Sequence, residues 1–511
     1  MQGVSIVVHM NTLLDRTPVI VGVGEITQKT KDLQKSLEPL GLMESAIRAA
    51  IKDAGTSVLS MIDSLDVIQE FSWPYADAPL KLSQRLGITP KHLVYGPVGG
   101  ETPVGFIHEA ALRIWRGESE VAAVVGAEAQ YSVTSAQKQG VSLAWSPRDP
   151  AARLIRGTDY LHRTAVELGV ASPATVYPFY ENATQAAWGQ TPEQGRQESG
   201  RLWEKCSLVA AANPYSWQQH SISSEDISIP ADGNRMVAWP YTVHMVANPQ
   251  VNQGAAVLLM SRCKATQLGI PEERMIHVWC GAAANEPDDY LLRDQYVRVH
   301  AQEAVLERIL QQVGDIGRFD QLELYSCFPV VPKMARRTLA LAADVVVTCT
   351  GGLSFFGAPL NNYMTHAASA MVRALRGQQN SIGLLYGQGG YLTKHHAIVL
   401  GSQASAKSRL SSDYSVQEAA DSRRALVPEL AMDYTGPAWI ESFTVIYRKD
   451  ASISHGVVIL RSPHGTRQLA KVSSTDKQSI QALTSMSRSP IGLTGHVSIG
   501  ADAMPIWKVN P

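Results

Sequence analysis

The sequence predicts a layered α/β body followed by a small all-β domain. Three features carry this expectation: strand-like apolar runs alternate with helical segments, the β-α order runs through twice before residue 403, and short strands punctuated by Gly and Pro dominate after it. The chain has 511 residues, too many for one ordinary core, and its 45% apolar and 18% charged residues leave ample material for several.

The elements follow in order. Thr17-Pro-Val-Ile-Val-Gly-Val-Gly-Glu-Ile reads as a buried strand, Leu40 to Ala54 as a helix stopped by Gly55, and Ile62 to Gln69 as a second strand. A Gly-rich turn, a helix from Gly105 to Gly117 and a strand from Val121 continue the alternation. Between Gln130 and Gln250 Trp and Tyr rise and strand-like runs vanish, which suggests a helical insertion. Val251 to Ser261 returns to a strand. The second series comprises a strand from Met275 to Cys280, a helix from Asp294 to Val313, a strand ending at Tyr325, a helix from Val331 to Ala343, a helix across His366 to Leu375, and the strands Ser381–Tyr386 and His396–Gly401. Two halves of one β-α grammar imply an internal pseudo-repeat. The expected division is an extension over 1–16, a first half over 17–130 and 251–270, a helical loop domain over 131–250, a second half over 271–403, and a β domain over 404–511.

Lys and Arg (45) balance Asp and Glu (46), so at a net charge of −1 no long-range field attracts polyphosphate. Nucleic acid and membrane are not expected partners, and any anion must be met by a local site. The β domain also lacks a basic stripe with interleaved aromatics. Five cysteines without ligand or framework spacing argue against structural zinc and disulfides, and point to a reducing cytoplasm. No metal is expected.

Four loops carry residues that strands and helices would not choose. Val98-Gly-Gly-Glu-Thr-Pro precedes a helix, whose free N–H groups can hold an anion or oxyanion near Glu101, although an ordinary strand-to-helix turn has the same spelling. Leu324-Tyr-Ser-Cys-Phe-Pro offers the Tyr325 phenol and the Cys327 thiol at a strand end, where a cysteine is also a common small hydrophobe. Thr350-Gly-Gly-Leu-Ser-Phe-Phe-Gly-Ala-Pro-Leu-Asn-Asn supplies Gly351, Gly352, Gly357, Asn361 and Asn362 for close backbone approach, with His366 in the helix beyond. Tyr386-Gly-Gln-Gly-Gly-Tyr-Leu-Thr-Lys-His-His reads as a pocket-lining turn through Gly387 and Gly389, followed by His395 and His396.

In this order the loops resemble those of the thiolase superfamily across about residues 17–403. Gly105 to Ala129 resembles the helix and strand after the thiolase nucleophile, and Val251-Asn-Gln-Gly-Ala-Ala its Asn-Asp-Gly-Ala-Ala strand. Tyr325-Ser-Cys-Phe resembles His-Asp-Cys-Phe, Gly351-Gly-Leu with Gly357-Ala-Pro-Leu resembles the Gly-Gly and Gly-His-Pro-Leu loop, and Gly387-Gln-Gly-Gly resembles Cys-x-Gly-Gly. With the carboxy-terminal strands, marked by Ile440-Glu-Ser-Phe-Thr-Val-Ile-Tyr, the chain is similar to thiolase-like proteins catalogued as acetyl-CoA acetyltransferases that carry an OB-like barrel.

The resemblance implies a five-layered α-β-α-β-α body, a coenzyme A thioester as substrate or ligand, no covalently bound cofactor, a monomer or homodimer, and a place in lipid metabolism. It also implies losses: the nucleophile position falls at or beside Glu101, the Gly-His-Pro histidine is Ala358, and the second cysteine is Gly387 or, with a one-residue slip, Tyr386. An acyl-enzyme on sulfur then has no attacker. Three readings stay open: an acyltransferase or carbon–carbon bond enzyme working without that sulfur, a retro-aldolase of hydroxyacyl-CoA, and a non-catalytic acyl-CoA binder or scaffold. The catalytic candidates are Glu101, Tyr325, Cys327, His366 and His395.

Overall fold

The computed structural model describes residues 16–152, 154–314, 316–405, 410–501 and 503–510. The expected extension therefore lies, except for Arg16, outside the described residues, as does the linker stretch 406–409.

Strand β1 (Pro18–Thr27) is apolar on both faces because both are covered. Its glycines let a helix lie unusually close: a Cβ at Gly22 would stand 2.2 Å from Ala50 O and one at Gly24 2.1 Å from Ala46 O, both on the helix Pro39–Ala54. Next come β2 (Ser64–Val67), β3 (His92–Tyr95) and β4 (Val121–Ala129), with the helix Ala78–Leu86 between β2 and β3. That short helix and β3 escape sequence reading because neither presents a long periodic run.

The inserted region holds the helices Pro173–Ala187 and Pro192–Ala212, and also two short strands, β5 (Met236–Ala238) and β6 (Tyr241–Thr242). The expectation that strands vanish there is thus corrected; a hairpin of three and two residues is too short to show a period.

Then follow β7 (Asn252–Ser261), β8 (Ile276–Asn285), β9 (Gln321–Leu324), β10 (Ile382–Gly389) and β11 (Lys394–Gly401). Among the described residues these form a nine-stranded sheet in the order β3-β2-β4-β7-β1-β8-β11-β10-β9. Within the sheet the two halves are joined by the pairing of β1 with β8, at Val19↔His277 and Ile20↔Ile276. In each half parallel strands at the edge, β3-β2-β4 in the first and β9-β10 in the second, pass into antiparallel neighbours towards this seam, the repeat expected from sequence. The helices Thr102–Arg116 and Tyr363–Leu375 pack against strands of both halves, while Pro39–Ala54 and His300–Val313 cover the outer faces. The result is the five-layered body.

The carboxy-terminal unit comprises β12 (Gly436–Tyr447), β13 (Ile453–Arg461), β14 (Arg467–Ser473), β15 (Thr494–Ile499) and β16 (Pro505–Val509). They run β13-β14-β16-β15-β12, and the pairing of β12 with β13 closes a barrel around Phe443, Leu460, Val472 and Trp507. Closure leaves no open edge in the barrel. Strand β5 joins it from outside, with Ala238 opposite Ile446. No helix among the described residues is long and apolar enough to cross a membrane.

Candidate active site

The loops singled out in the sequence converge on a cavity of about 580 Å³. Its wall comes from Val98 to Gly100, the stretch after β9, the loop through Ala358 and Asn361, the turn from Gln388 to Tyr391, and, from the insertion, Ala174, Tyr177 and Val246. A second, outer cavity of about 690 Å³ is lined by Asp53 and Arg274, which already pair with each other at 2.8 Å.

Tyr325, Cys327, Asn361 and Gly389 stand on the first cavity's wall. Burial holds the Tyr325 phenol protonated well above the usual range, with nearby Cys327 and Glu101 acting in the same direction. Among the described residues its hydroxyl makes no hydrogen bond, and the residue is 6% exposed on the cavity wall. Gly100 must lack a side chain here, since a Cβ would lie 2.3 Å from Tyr325 Oη. Burial pushes the Cys327 thiol up to about 12, so it stays neutral. Asn361 is a scaffold for the wall: its Oδ1 accepts from Gly99 N at 3.0 Å and its Nδ2 donates to Gln69 O at 2.8 Å.

The other sequence candidates lie behind the wall. Glu101 begins the helix Thr102–Arg116, but its carboxylate folds into a notch that a Cβ at Gly389 would fill, 2.0 Å from Oε2. Burial raises this carboxyl to about 7, opposed by the Lys394 charge, and Oε2 has no hydrogen-bond partner. His366 is fully buried against Glu25, with Nδ1 2.7 Å from Oε1. His395 lies 2.7 Å from the Tyr386 hydroxyl and 3.1 Å from Leu392 O through its two ring nitrogens, and burial lowers it to about 4.

Gly351 and Gly352, at φ of 118° and 76°, face the helix Pro192–Ala212, and the next residue, Leu353, reaches the cavity instead. Their loop hangs on buried Glu323, which accepts from the N–H groups of Cys349 at 3.0 Å and Thr350 at 3.2 Å. Gly357 packs on Gln253, Asn362 donates to Gly126 O at 2.7 Å, and Gly387 packs on the Cα of Glu101.

Sequence reasoning missed Tyr177 and Gln388 as wall residues. Tyr177 donates to Gly390 O at 2.9 Å and stacks on Phe328 at 4.5 Å; Gln388 Nε2 donates to Tyr177 Oη at 2.6 Å and to Cys327 Sγ at 3.3 Å. The aromatic enrichment of the insertion was the available signal for Tyr177. Ala358 also lines the cavity, so the wall carries no imidazole where the thiolase resemblance places one.

Sheet order, layers and cavity together define a thiolase-like fold. Residues 415–501 match the family described as the thiolase-like protein type 1 additional C-terminal domain, so the chain combines a thiolase-like fold with that additional domain. A monomeric SCP2-thiolase-like protein type 1 from Mycobacterium smegmatis is 27% identical over 97% of this chain and 99% of its own, with a TM-score of 0.81. An Ltp2–ChsH2(DUF35) aldolase shares the fold at 19% identity, covering 76% of this chain and 98% of its own, with a TM-score of 0.58. Human mitochondrial 3-ketoacyl-CoA thiolase in complex with CoA shares it at 15% identity, covering 76% and 99%, with a TM-score of 0.54. A search of curated proteins found no match.

Proposed function

We propose that this protein handles acyl-CoA thioesters as an acetyl-CoA acetyltransferase-related enzyme that acts on the acyl group or on a carbon–carbon bond next to the thioester without forming an acyl-enzyme. The observation that carries the reading is Tyr325, a neutral buried phenol on the cavity wall whose hydroxyl makes no hydrogen bond among the described residues. Such a donor in a largely apolar cavity polarises a thioester carbonyl and stabilises the enolate that develops when a bond to the α-carbon breaks or forms. The Gln388 amide fixes the neighbouring Cys327 and Tyr177, keeping both occupied while Tyr325 stays free. A covalent route through Cys327 is disfavoured, because its thiol is held neutral and no imidazole among the described residues stands on the wall to take its proton.

A second reading, a non-catalytic acyl-CoA binder, is favoured by one feature: the described wall residues include no carboxylate, lysine or imidazole that would move a proton. Calorimetric titration with CoA, acetyl-CoA and hydroxyacyl-CoA, followed by product analysis, separates the two. Tyr325→Phe is expected to lower turnover by about 10²-fold or more while changing thioester affinity by less than about tenfold. Undiminished turnover in that variant sinks the role of the phenol. Binding without turnover across the panel selects the binder, and no binding at all removes both readings.

A further inference from the structure

The turn Gly389-Gly-Tyr-Leu closes one side of the cavity and is gripped by its carbonyl oxygens. Gly389 O accepts from Thr393 N at 3.1 Å, Gly390 O from the Tyr177 hydroxyl at 2.9 Å, and Tyr391 O from the Tyr180 hydroxyl at 2.9 Å. Leu392 O takes the Arg293 guanidinium and lies 3.1 Å from His395 Nε2. The grip is needed, because Gly390 sits at φ 62° and Leu392 at φ 58°, a left-handed backbone that a residue with a Cβ adopts only when its surroundings impose it.

Arg293 is 2% exposed and stacks over the Tyr180 ring at 5.1 Å. Its own backbone is fixed from the barrel. Arg467, on β14, is fully buried and commits all five N–H groups of its guanidinium. Nε and Nη2 bond Glu441 at 2.9 and 2.8 Å, Nη1 bonds Leu291 O at 2.7 Å and Arg293 O, and Nη2 reaches Asp294 O at 3.3 Å. A buried guanidinium costs free energy unless every donor is met, and a planar fork meets these acceptors in one docking geometry only. Such an arrangement specifies position more than it adds stability.

We propose that Arg467 is a positioning residue for the cavity: from the barrel it orders residues 291–294, Arg293 passes that order to Leu392 O, and the Gly389–Leu392 turn thereby keeps the shape that receives the thioester. The carboxy-terminal domain is on this account a working part of the site. What the cavity receives rests on the function proposed above; the latch itself does not.

The test is hydrogen exchange by mass spectrometry on the full chain, comparing wild type, Arg467→Lys and Arg293→Lys. Arg467→Lys keeps the charge and loses the fork. The peptide over residues 387–394 is expected to exchange about tenfold faster in both variants, with β12 and β13 still protected. If Arg467→Lys unfolds the barrel, Arg293→Lys decides, since it alters no barrel residue. An unchanged turn with a protected barrel overturns the proposal. Acetyl-CoA affinity is expected to fall about tenfold in each variant, and a double-mutant cycle of Arg467→Lys with Tyr180→Phe to be non-additive, as for two groups acting through one turn. Additive effects would mark a merely structural role and overturn it. Should wild type bind no thioester, the functional reading fails while the exchange result still judges the latch.

Discussion

At the scale of single residues the chemistry of this protein is set by which groups burial keeps neutral. Tyr325 and Cys327 stand protonated on the wall, and Glu101, raised to about 7 behind it, gains its charge only near neutral pH. The sign of the Glu101 effect follows from linkage. Below about pH 4.5 the carboxyl is protonated in folded and unfolded chains alike and contributes nothing; between about 4.5 and 7 the unfolded chain ionises first, so stability falls as pH rises and then levels off. Glu101→Gln removes that loss. Melting of the two proteins is expected to coincide at pH 4.5, and the variant to gain roughly 1–3 kcal/mol over wild type at pH 8. A gap that does not widen with pH would mean that the carboxylate is paired.

Elements bring these residues together through glycine. Gly22 and Gly24 admit the backbone of the helix Pro39–Ala54 against β1, and an added methyl at Gly24 meets Ala46 O at 2.1 Å and Ala50 N at 2.5 Å, atoms that cannot swing aside. Gly24→Ala is therefore expected to cost about 3 kcal/mol, read from the denaturant midpoint. The same logic at the cavity is more local. Gly389→Ala would place its methyl 2.0 Å from Glu101 Oε2 and 2.9 Å from Gly99 Cα, displacing the Val98–Gly100 loop that Asn361 holds. This variant is expected to lose thioester affinity by more than it loses stability; the reverse ranking in paired calorimetric titration and melting would detach Gly389 from the site.

For the whole molecule the barrel and the body are joined by buried hydrogen bonds. Ser442 donates to Phe179 O at 2.5 Å, Asn182 donates to Phe443 O at 2.8 Å, and β5 from the insertion extends the barrel sheet. The helix Pro173–Ala187 thus lies against the barrel along β12 while its first turns carry Ala174 and Tyr177 into the cavity wall. Thermal unfolding of the full chain is expected to give a single calorimetric transition, and a chain ending at residue 403 to aggregate or to lose any thioester binding the full chain shows. Two well-separated transitions would show a barrel that is merely tethered.

Much of this architecture is legible in the amino-acid order. Continuous apolar runs marked the buried strands, helix-stopping glycines the ends of helices, and the repetition of one grammar the paired halves, because burial on both faces and the 3.6-residue period leave local traces. Four of the wall residues, Tyr325, Cys327, Asn361 and Gly389, were legible for the same reason: they sit in loops too rich in glycine and polar groups to be ordinary turns. The direction a side chain faces left no such trace. That Glu101 folds behind Gly389, that His366 spends itself on Glu25 and His395 on Tyr386, and that Arg467 reaches from the barrel to residues 291–294 are decisions of packing between segments up to hundreds of positions apart. Residue order determined which chemistry was at hand, and three-dimensional contact alone determined which groups meet a ligand, since desolvation and hydrogen-bond satisfaction are properties of neighbours in space.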